Sequence, residues 1–283
     1  MTRVVGLVCH RERPAAHKLA ARAASFFAEY GLEVRVPAID AAAIGLEELA
    51  VDDFLTDLDL AVSIGGDGTM LHTVDLVGEH GVPVLGINCG DLGYLPEVEA
   101  EFLDDALVRV LAGDFTIIER MMLAITVTSS GEAAGTWSAL NEAVLEKSRT
   151  GRLVRLAVAI NRRFFTTYAA DGAIVATPTG STAYSFSAGG PIVSPEHRCL
   201  LFTPISPHML FDRPLVLAPG EELAFEVTDD RPVVLTIDGR ELGELTAGDR
   251  VACTEGPRPA RFVTFGPRDF HQILKAKFGL ADR

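Results

Sequence analysis

Along the first 119 positions, apolar residues come in short continuous runs separated by stretches of helical periodicity. RVVGLVC at 3–9 is almost wholly apolar, as a strand buried on both faces must be. Pro14 opens a stretch in which Leu19, Ala23, Phe26, Phe27 and Tyr30 fall on or near one stripe, and Gly31 supplies its stop. LEVRV at 32–36, DLAVSI at 59–64 and VPVLGIN at 82–88 read as further strands. Residues 69–80 read as a helix ending at Gly81, and EFLDDALVRVLAG as another. Strand and helix in alternation predict a parallel sheet with helices on its faces.

Near residue 120 the period changes. LAITVTS, WSALNEAVLEK, RLVRLAVAI, RFFTTYA, GAIVATP, ELAFEVT, PVVLTIDG, RVACTEG and RFVTFG are short runs punctuated by turn residues such as SSGEAAG, NRR and DDRP. Many short strands at regular spacing predict an antiparallel β-sandwich-like domain. DFHQILKAKFGL then returns to helical periodicity and is too short to fold alone.

Composition narrows the function classes. The chain has 283 residues, 48% hydrophobic and 23% charged, which describes a globular protein of two domains or one large one. Its net charge of -14, from 25 basic and 39 acidic residues, argues against nucleic acid and anionic membranes as partners. A local site can still oppose that field and take a small polyanion such as a nucleotide, helped by magnesium. Cys9, Cys89, Cys199 and Cys253 are far apart and read as small buried hydrophobes. TRVVGLVC after Met1 is strand-like rather than a leader, and no apolar run approaches the ~18 residues of a membrane span. A reduced cytoplasm is the expected setting.

The first candidate for chemistry is SIGGDGTML at 63–71, between a strand and a helix. In a parallel sheet that place lies at the carboxyl edge, where ligands bind. Gly65, Gly66 and Gly68 are expected to allow positive φ and to bare their amides to a ligand, and the helix N-terminus favours an anion. Asp67 puts a carboxylate among them, which costs Coulomb energy beside phosphate. It can hold a Mg²⁺ bridging the phosphates, take the proton of an attacking hydroxyl, or merely cap the helix.

The second candidate is ADGAIVATPTGSTAYSFSAGGPIVSP at 170–195, a buried strand running into neutral hydroxyls and glycines. Ser181, Thr182, Ser185 and Ser187 offer small donors, and Tyr184 a flat face for stacking. Asn141-Glu142 can hydrogen-bond ribose hydroxyls or an adenine edge. Asp238-Gly239 is by itself a hairpin turn.

In order and spacing these segments resemble the NAD kinase family. The matching stretches are GGDGT at 65–69, GINCGDLGYL at 86–95, LNE at 140–142, DGAIVATPTGSTAYSFSAGGPIVSP at 171–195, TPISPH at 203–208, RPLVL at 213–217 and IDG at 237–239. The resemblance implies a kinase that moves the γ-phosphoryl of ATP, or a phosphoryl of polyphosphate, to the 2′-hydroxyl of the adenosine ribose of NAD. It implies a divalent cation such as Mg²⁺, a homodimer or homotetramer, and an amino-terminal Rossmann-like α/β domain before the β domain. It also implies that the final helix packs back on the first domain, giving expected bounds of 1–119 plus 266–283 and 120–265. By motif, Asp67 would be the essential carboxylate and general base, with Gly65, Gly66, Gly68 and Thr69 at phosphate. Tyr94, Asn141, Glu142, Asp171, Ser181, Thr182, Ala183, Tyr184, Ser187 and Asp238 would join Asp67 and Gly68 in the dinucleotide site. Tyr94 stands where Phe is common, and Ala169 where some members carry a basic residue, which leaves NAD against NADH open. The competing expectations are a kinase of the same fold acting on another adenine nucleoside or nucleotide, and a non-catalytic nucleotide sensor.

Overall fold

The computed structural model describes residues 3–90, 93–267 and 269–280. Asp91 and Leu92, in the middle of GINCGDLGYL, lie outside them. The chain divides into two units, Met1–Glu119 with Ala260–Arg283, and Arg120–Pro259.

The first unit is an α/β domain on an eight-stranded sheet. In spatial order the strands are Ala50–Val51, Glu33–Pro37, Val4–Cys9, Leu60–Gly65, Val84–Asn88, Ala260–Thr264 and Thr116–Arg120, with Val98–Glu99 also against Val84–Asn88. Pairing is parallel from Ala50–Val51 through to Ala260–Thr264. Val4–Cys9, Leu60–Gly65 and Val84–Asn88 are buried at every position, which is why they are apolar runs rather than alternations. Helices Pro14–Glu29 and Leu103–Ala112 supply Ala20, Phe27, Leu103 and Leu107 to the core on the sheet. Proline at the first helical position suits an N–H that has no partner there, and left-handed Gly113 ends the second helix. The strand order reverses beside Val4–Cys9, since Glu33–Pro37 lies on one side of it and Leu60–Gly65 on the other. That reversal is a topological switch point, and its carboxyl end is where such sheets bind ligands.

The second unit is an antiparallel sandwich of two six-stranded sheets. One runs Leu215–Leu217, Leu200–Ile205, Gly172–Ala176, Glu142–Lys147, Val233–Ile237, Arg240–Leu245. The other runs Arg163–Ala170, Val154–Ile160, Leu223–Val227, Arg250–Glu255, Leu123–Ser129, Glu132–Ala139. Leu123, Ile125, Leu156, Phe202 and Phe225 build the core. Glu142–Lys147 and Gly172–Ala176 carry a second, smaller core in which Val144, Ile174 and Ala176 meet Cys199 and Leu201. These two strands are therefore covered on both faces, and Ala188 and Val193 of the glycine- and serine-rich segment pack against that smaller core.

Several expectations need correction. RFVTFG does not belong to the β domain: Ala260–Thr264 pairs in parallel with Val84–Asn88, because its apolar residues Phe262 and Val263 complete the first unit. WSALNEAVLEK is not one run, since Leu140-Asn141 turns the chain from Glu132–Ala139 in one sheet to Glu142–Lys147 in the other. The helix expected at 69–80 spans Asp67–Val77, and Gly78–His80 continues as a 3₁₀ turn. The segment after GAIVAT coils into a 3₁₀ turn at Thr179–Thr182 and a helical turn at Tyr184–Ser187. The final helix is Phe270–Lys277, capped by Asp269, and the Lys277 ammonium lies 4.4 Å from the centre of the Tyr94 ring within the first unit. No described helix is long and apolar enough to cross a membrane.

Candidate functional site

The glycine loop follows Leu60–Gly65 at the switch point. His10 donates its amide to Ile64 O (2.9 Å), which joins the carboxyl ends of the two central strands. A cavity of about 590 Å³ opens there, lined by residues 9–13, Gly66–Thr69 and His72, with the carboxylates of Glu12 and Asp67 among them. The amides of Asp67 and Gly68, the first two of the Asp67–Val77 helix, have no intrahelical acceptor and favour an anion.

The glycines act differently from expectation. None of Gly65, Gly66 and Gly68 has positive φ, and Gly66 is extended at φ -112°. Gly65 is needed for close approach, because a Cβ there would stand 2.1 Å from Thr69 Oγ1. Thr69 packs against it and is 8% exposed, and it is among the residues that line the cavity. At Gly66 and Gly68 a Cβ would meet nothing within 4 Å. These two leave open space that a side chain would fill.

Asp67 does not cap the helix. It sits in the first turn, and its carboxylate accepts from the amides of Tyr94 (3.0 Å to Oδ1, 3.1 Å to Oδ2) and Leu95 (2.9 Å to Oδ1). A Cβ at Gly93 would approach Asp67 Oδ1 to 2.6 Å, so only glycine lets the chain pass this close. Charge-assisted bonds to amides hold the carboxylate in place and spread part of its charge. Tyr94 is half-buried, and burial, reinforced by Asp67, raises its phenol pKa.

Residues that the motifs did not flag shape the same cavity. Asp40 is fully buried and accepts from Arg11 Nε, and His72 Nε2 lies 3.8 Å from its other oxygen. Arg13 NH1 reaches Cys89 O at 3.4 Å. The cluster HRERP at 10–14 was the available signal, although charged residues in a loop most often mark a solvated surface.

In the second unit, Asp238 organises the turn at Asn141-Glu142. Its Oδ1 accepts from the amides of Asn141 (2.8 Å) and Glu142 (2.9 Å), and its Oδ2 from Leu140 (2.7 Å). Asp238 and Gly239 both have positive φ, the two-residue hairpin that a primed turn requires. Thr177 ties the next segment down, with its amide on Asn141 O (2.8 Å) and its hydroxyl on Leu140 O (2.5 Å). A Cβ at Gly180 would lie 2.2 Å from Asn141 O, so this glycine too is one of contact.

The Asn141 carboxamide makes no hydrogen bond among the described residues and is free to meet a ligand. Glu142 is 7% exposed. Burial, then the charge of Asp238, pushes its pKa up to about 8, against a partial offset from the Tyr184 amide. Its Oε2 has no partner. At neutral pH the group is mostly protonated and can donate. Tyr184 is half-exposed, and its hydroxyl donates to Glu146 Oε1 (2.6 Å); burial and then Glu146 push its pKa up to about 12. Asp171 pairs with the Lys147 ammonium. Ser187 is exposed, while Thr182 and Ala183 are half-buried. Ser181 is committed elsewhere: fully buried, it donates to Val193 O and accepts from Val193 N, each at 3.0 Å. Ser185 likewise spends its hydroxyl on Thr203 Oγ1 (2.8 Å).

Thus Asn141, Glu142, Tyr184 and Asp238 are brought together in one unit, and Asp67, Gly66, Gly68 and Tyr94 in the other. Two sequence comparisons match these two sets of residues. The model of the ATP-NAD kinase N-terminal domain matches residues 5–115, and that of the ATP-NAD kinase C-terminal domain matches residues 140–265. An NAD kinase of Heliobacterium modesticaldum is 41% identical over 275 residues, covering 96% of this chain and 97% of its own.

The chain belongs to the NAD kinase family. NAD kinase 2 of Streptomyces avermitilis is 40% identical over 285 residues, covering 98% of this chain and 95% of its own. Among solved structures, yeast NADH kinase complexed with NADH superposes with a TM-score of 0.91 at 26% identity, over 100% of this chain and 89% of that one. An Archaeoglobus fulgidus NAD kinase in complex with ATP shares the fold, with a TM-score of 0.69 at 23% identity over 99% and 98% of the two chains.

NAD kinases imply a divalent cation. Among the described residues no three His, Cys, Asp or Glu side chains gather as a metal site, and both oxygens of Asp67 already accept amides. The described residues do not by themselves build a resident metal centre.

Proposed function

We propose that the chain transfers the γ-phosphoryl of ATP to the 2′-hydroxyl of the adenosine ribose of NAD. The observation that carries this reading is the Asn141-Glu142 turn. A free carboxamide stands beside a buried carboxyl with one unpartnered oxygen and a pKa raised to about 8, and the turn is held by three backbone N–H hydrogen bonds, from Leu140, Asn141 and Glu142, to the Asp238 carboxylate. A donor and acceptor set of this kind, with the Tyr184 ring in the same unit and carboxylates rather than free cations around it, suits adenosine better than a free anion. Tyr184, Thr182, Ala183 and Ser187 would line the dinucleotide, and Asp171 would meet it through its outer oxygen. Asp238 would act by positioning Asn141 and Glu142, and Ser181 by holding the loop.

On the donor side, Gly66 and Gly68 would leave room for phosphate at the helix N-terminus, with Arg13 contributing charge. Asp67 would take the proton of the 2′-hydroxyl as the new O–P bond forms and the bond to the leaving diphosphate breaks. Its Oδ2 accepts one amide against two on Oδ1, so Oδ2 is the oxygen with spare capacity. A divalent cation would come with the donor phosphates. Polyphosphate as donor, NADH as acceptor, a homo-oligomer and a cytoplasmic setting belong to the same reading.

³¹P NMR of the products from ATP, Mg²⁺ and NAD tests it. A new 2′-phosphomonoester resonance is expected. Faster turnover of AMP or adenosine in parallel assays would replace NAD as the acceptor. NAD binding without turnover of any phosphate donor would leave a sensor.

A further inference from the structure

The second unit holds a cavity of about 350 Å³ whose walls are the 147–154 segment and the 230–232 turn. The walls are joined: Lys147 pairs in register with Val233, the Ser148 amide donates to Pro232 O (3.4 Å), and Arg231 NH1 donates to Leu153 O. The cavity is lined by four cations, Lys147, Arg149, Arg152 and Arg231, against one carboxylate, Asp230. In a chain of net charge -14 such a local excess is opposite in sign to the whole.

The cations are unequally occupied. Lys147 is paired with Asp171, and Arg231 has Asp229 Oδ2 at 3.8 Å besides the Leu153 carbonyl. Arg149 and Arg152 make no hydrogen bond or ion pair among the described residues. Beside them the Ser148 hydroxyl is buried without a partner. Two unneutralised guanidiniums, a bound one and an unpaired hydroxyl around one concavity offer many donors and little competition. Guanidinium forks match phosphate oxygens two at a time, and a concave wall focuses the field.

From this we infer that the cavity is a binding site for a compound bearing a di- or triphosphate group, separate from the glycine loop. All its lining residues lie in the second unit, and none is among those assigned above to phosphate transfer or to adenosine.

The test is calorimetric titration of the full chain with inorganic tripolyphosphate, then with ADP. The glycine loop is a second phosphate site, so the decisive comparison is between the parent and the Arg149→Ala/Arg152→Ala variant. Both side chains are exposed, and an unchanged Tm will show that the variant is folded. The parent should bind one more equivalent than the variant, or bind the second class about tenfold or more tighter, with the difference shrinking as salt is raised. Tripolyphosphate alone sufficing means that the phosphates are the ligand; tighter binding of ADP to this class means that a nucleoside is part of it. Superimposable isotherms of parent and variant for both probes would overturn the inference.

Discussion

Glu142→Gln isolates what burial does to one carboxyl group. The side chain is 7% exposed, and burial together with the Asp238 charge moves its pKa from 4.5 to about 8. Between those values the folded chain keeps a proton that the unfolded chain has released. Stability falls with rising pH wherever the folded state binds more protons, and this loss is complete once pH passes the folded pKa. At ~1.4 kcal/mol per pH unit, that window amounts to a few kcal/mol by pH 9. Glutamine has the shape of the protonated acid, can still donate toward the site and does not ionise. Urea unfolding of parent and variant in parallel, from pH 4.5 to 9, removes the contribution of every other titrating group by difference. The two should have similar stability near pH 4.5, and the variant should gain steadily on the parent up to about pH 8 and then level off. Its KM for NAD at pH 7 should stay within a few-fold of the parent's. A stability difference that does not change across the range would show that Glu142 is ionised in the folded protein, and the donor role would fall with it.

The other expectations concern candidate residues in each of the two units. Asp67→Asn keeps an acceptor for Leu95 but turns an amide nitrogen toward one of its present donors; kcat should drop by ~10²-fold or more while Tm changes little, and most activity surviving would remove the base assignment. Gly65→Ala forces a Cβ to 2.1 Å from Thr69 Oγ1 and should cost ~1–3 kcal/mol in urea unfolding. Gly68→Ala meets no such clash, so it should leave Tm in place and raise KM for the phosphate donor; an unaltered KM would mean that phosphate does not pass there. Tyr184→Phe loses only the bond to Glu146, whereas Tyr184→Ala loses the ring, so weaker NAD binding in Ala alone identifies stacking, read by equilibrium titration.

What could be read from the sequence was whatever leaves a local trace. Val4–Cys9, Leu60–Gly65 and Val84–Asn88 are buried at every position and so are apolar apart from Ser63 and Asn88. Ala38–Ile44 was missed because AIDAAAI is only about two turns long with no side-chain cap, and Thr116–Arg120 because its half-exposed residues blur the period. Ala260–Thr264 looked like its neighbours in sequence, and only its distant partner Val84–Asn88 assigns it to the parallel sheet. The site divides in the same way. The glycine loop and the Asn141-Glu142 pair stood out as motifs, but the amides that hold Asp67 come from Tyr94 and Leu95, and the carboxylate that holds Asn141 comes from Asp238. Such partners are fixed by the fold, and nothing in their own neighbourhood announces them. Ser181 shows the reverse error, a hydroxyl that looked available and is spent on Val193.

The late arrival of Ala260–Thr264 bears on how the protein is made. That strand fills the place between Val84–Asn88 and Thr116–Arg120, yet the ribosome completes the whole of Arg120–Pro259 before it emerges. Until then Val84–Asn88 has only the two-residue strand Val98–Glu99 on part of that edge and Thr116–Arg120 lacks its neighbour in the sheet, an invitation to wrong partners during synthesis. The second unit, contiguous in the chain, can close on its own in the meantime. A nascent chain stalled short of residue 260 should therefore protect the second unit from protease before the first, and the α/β domain, although it begins the sequence, would be the last part to become a domain.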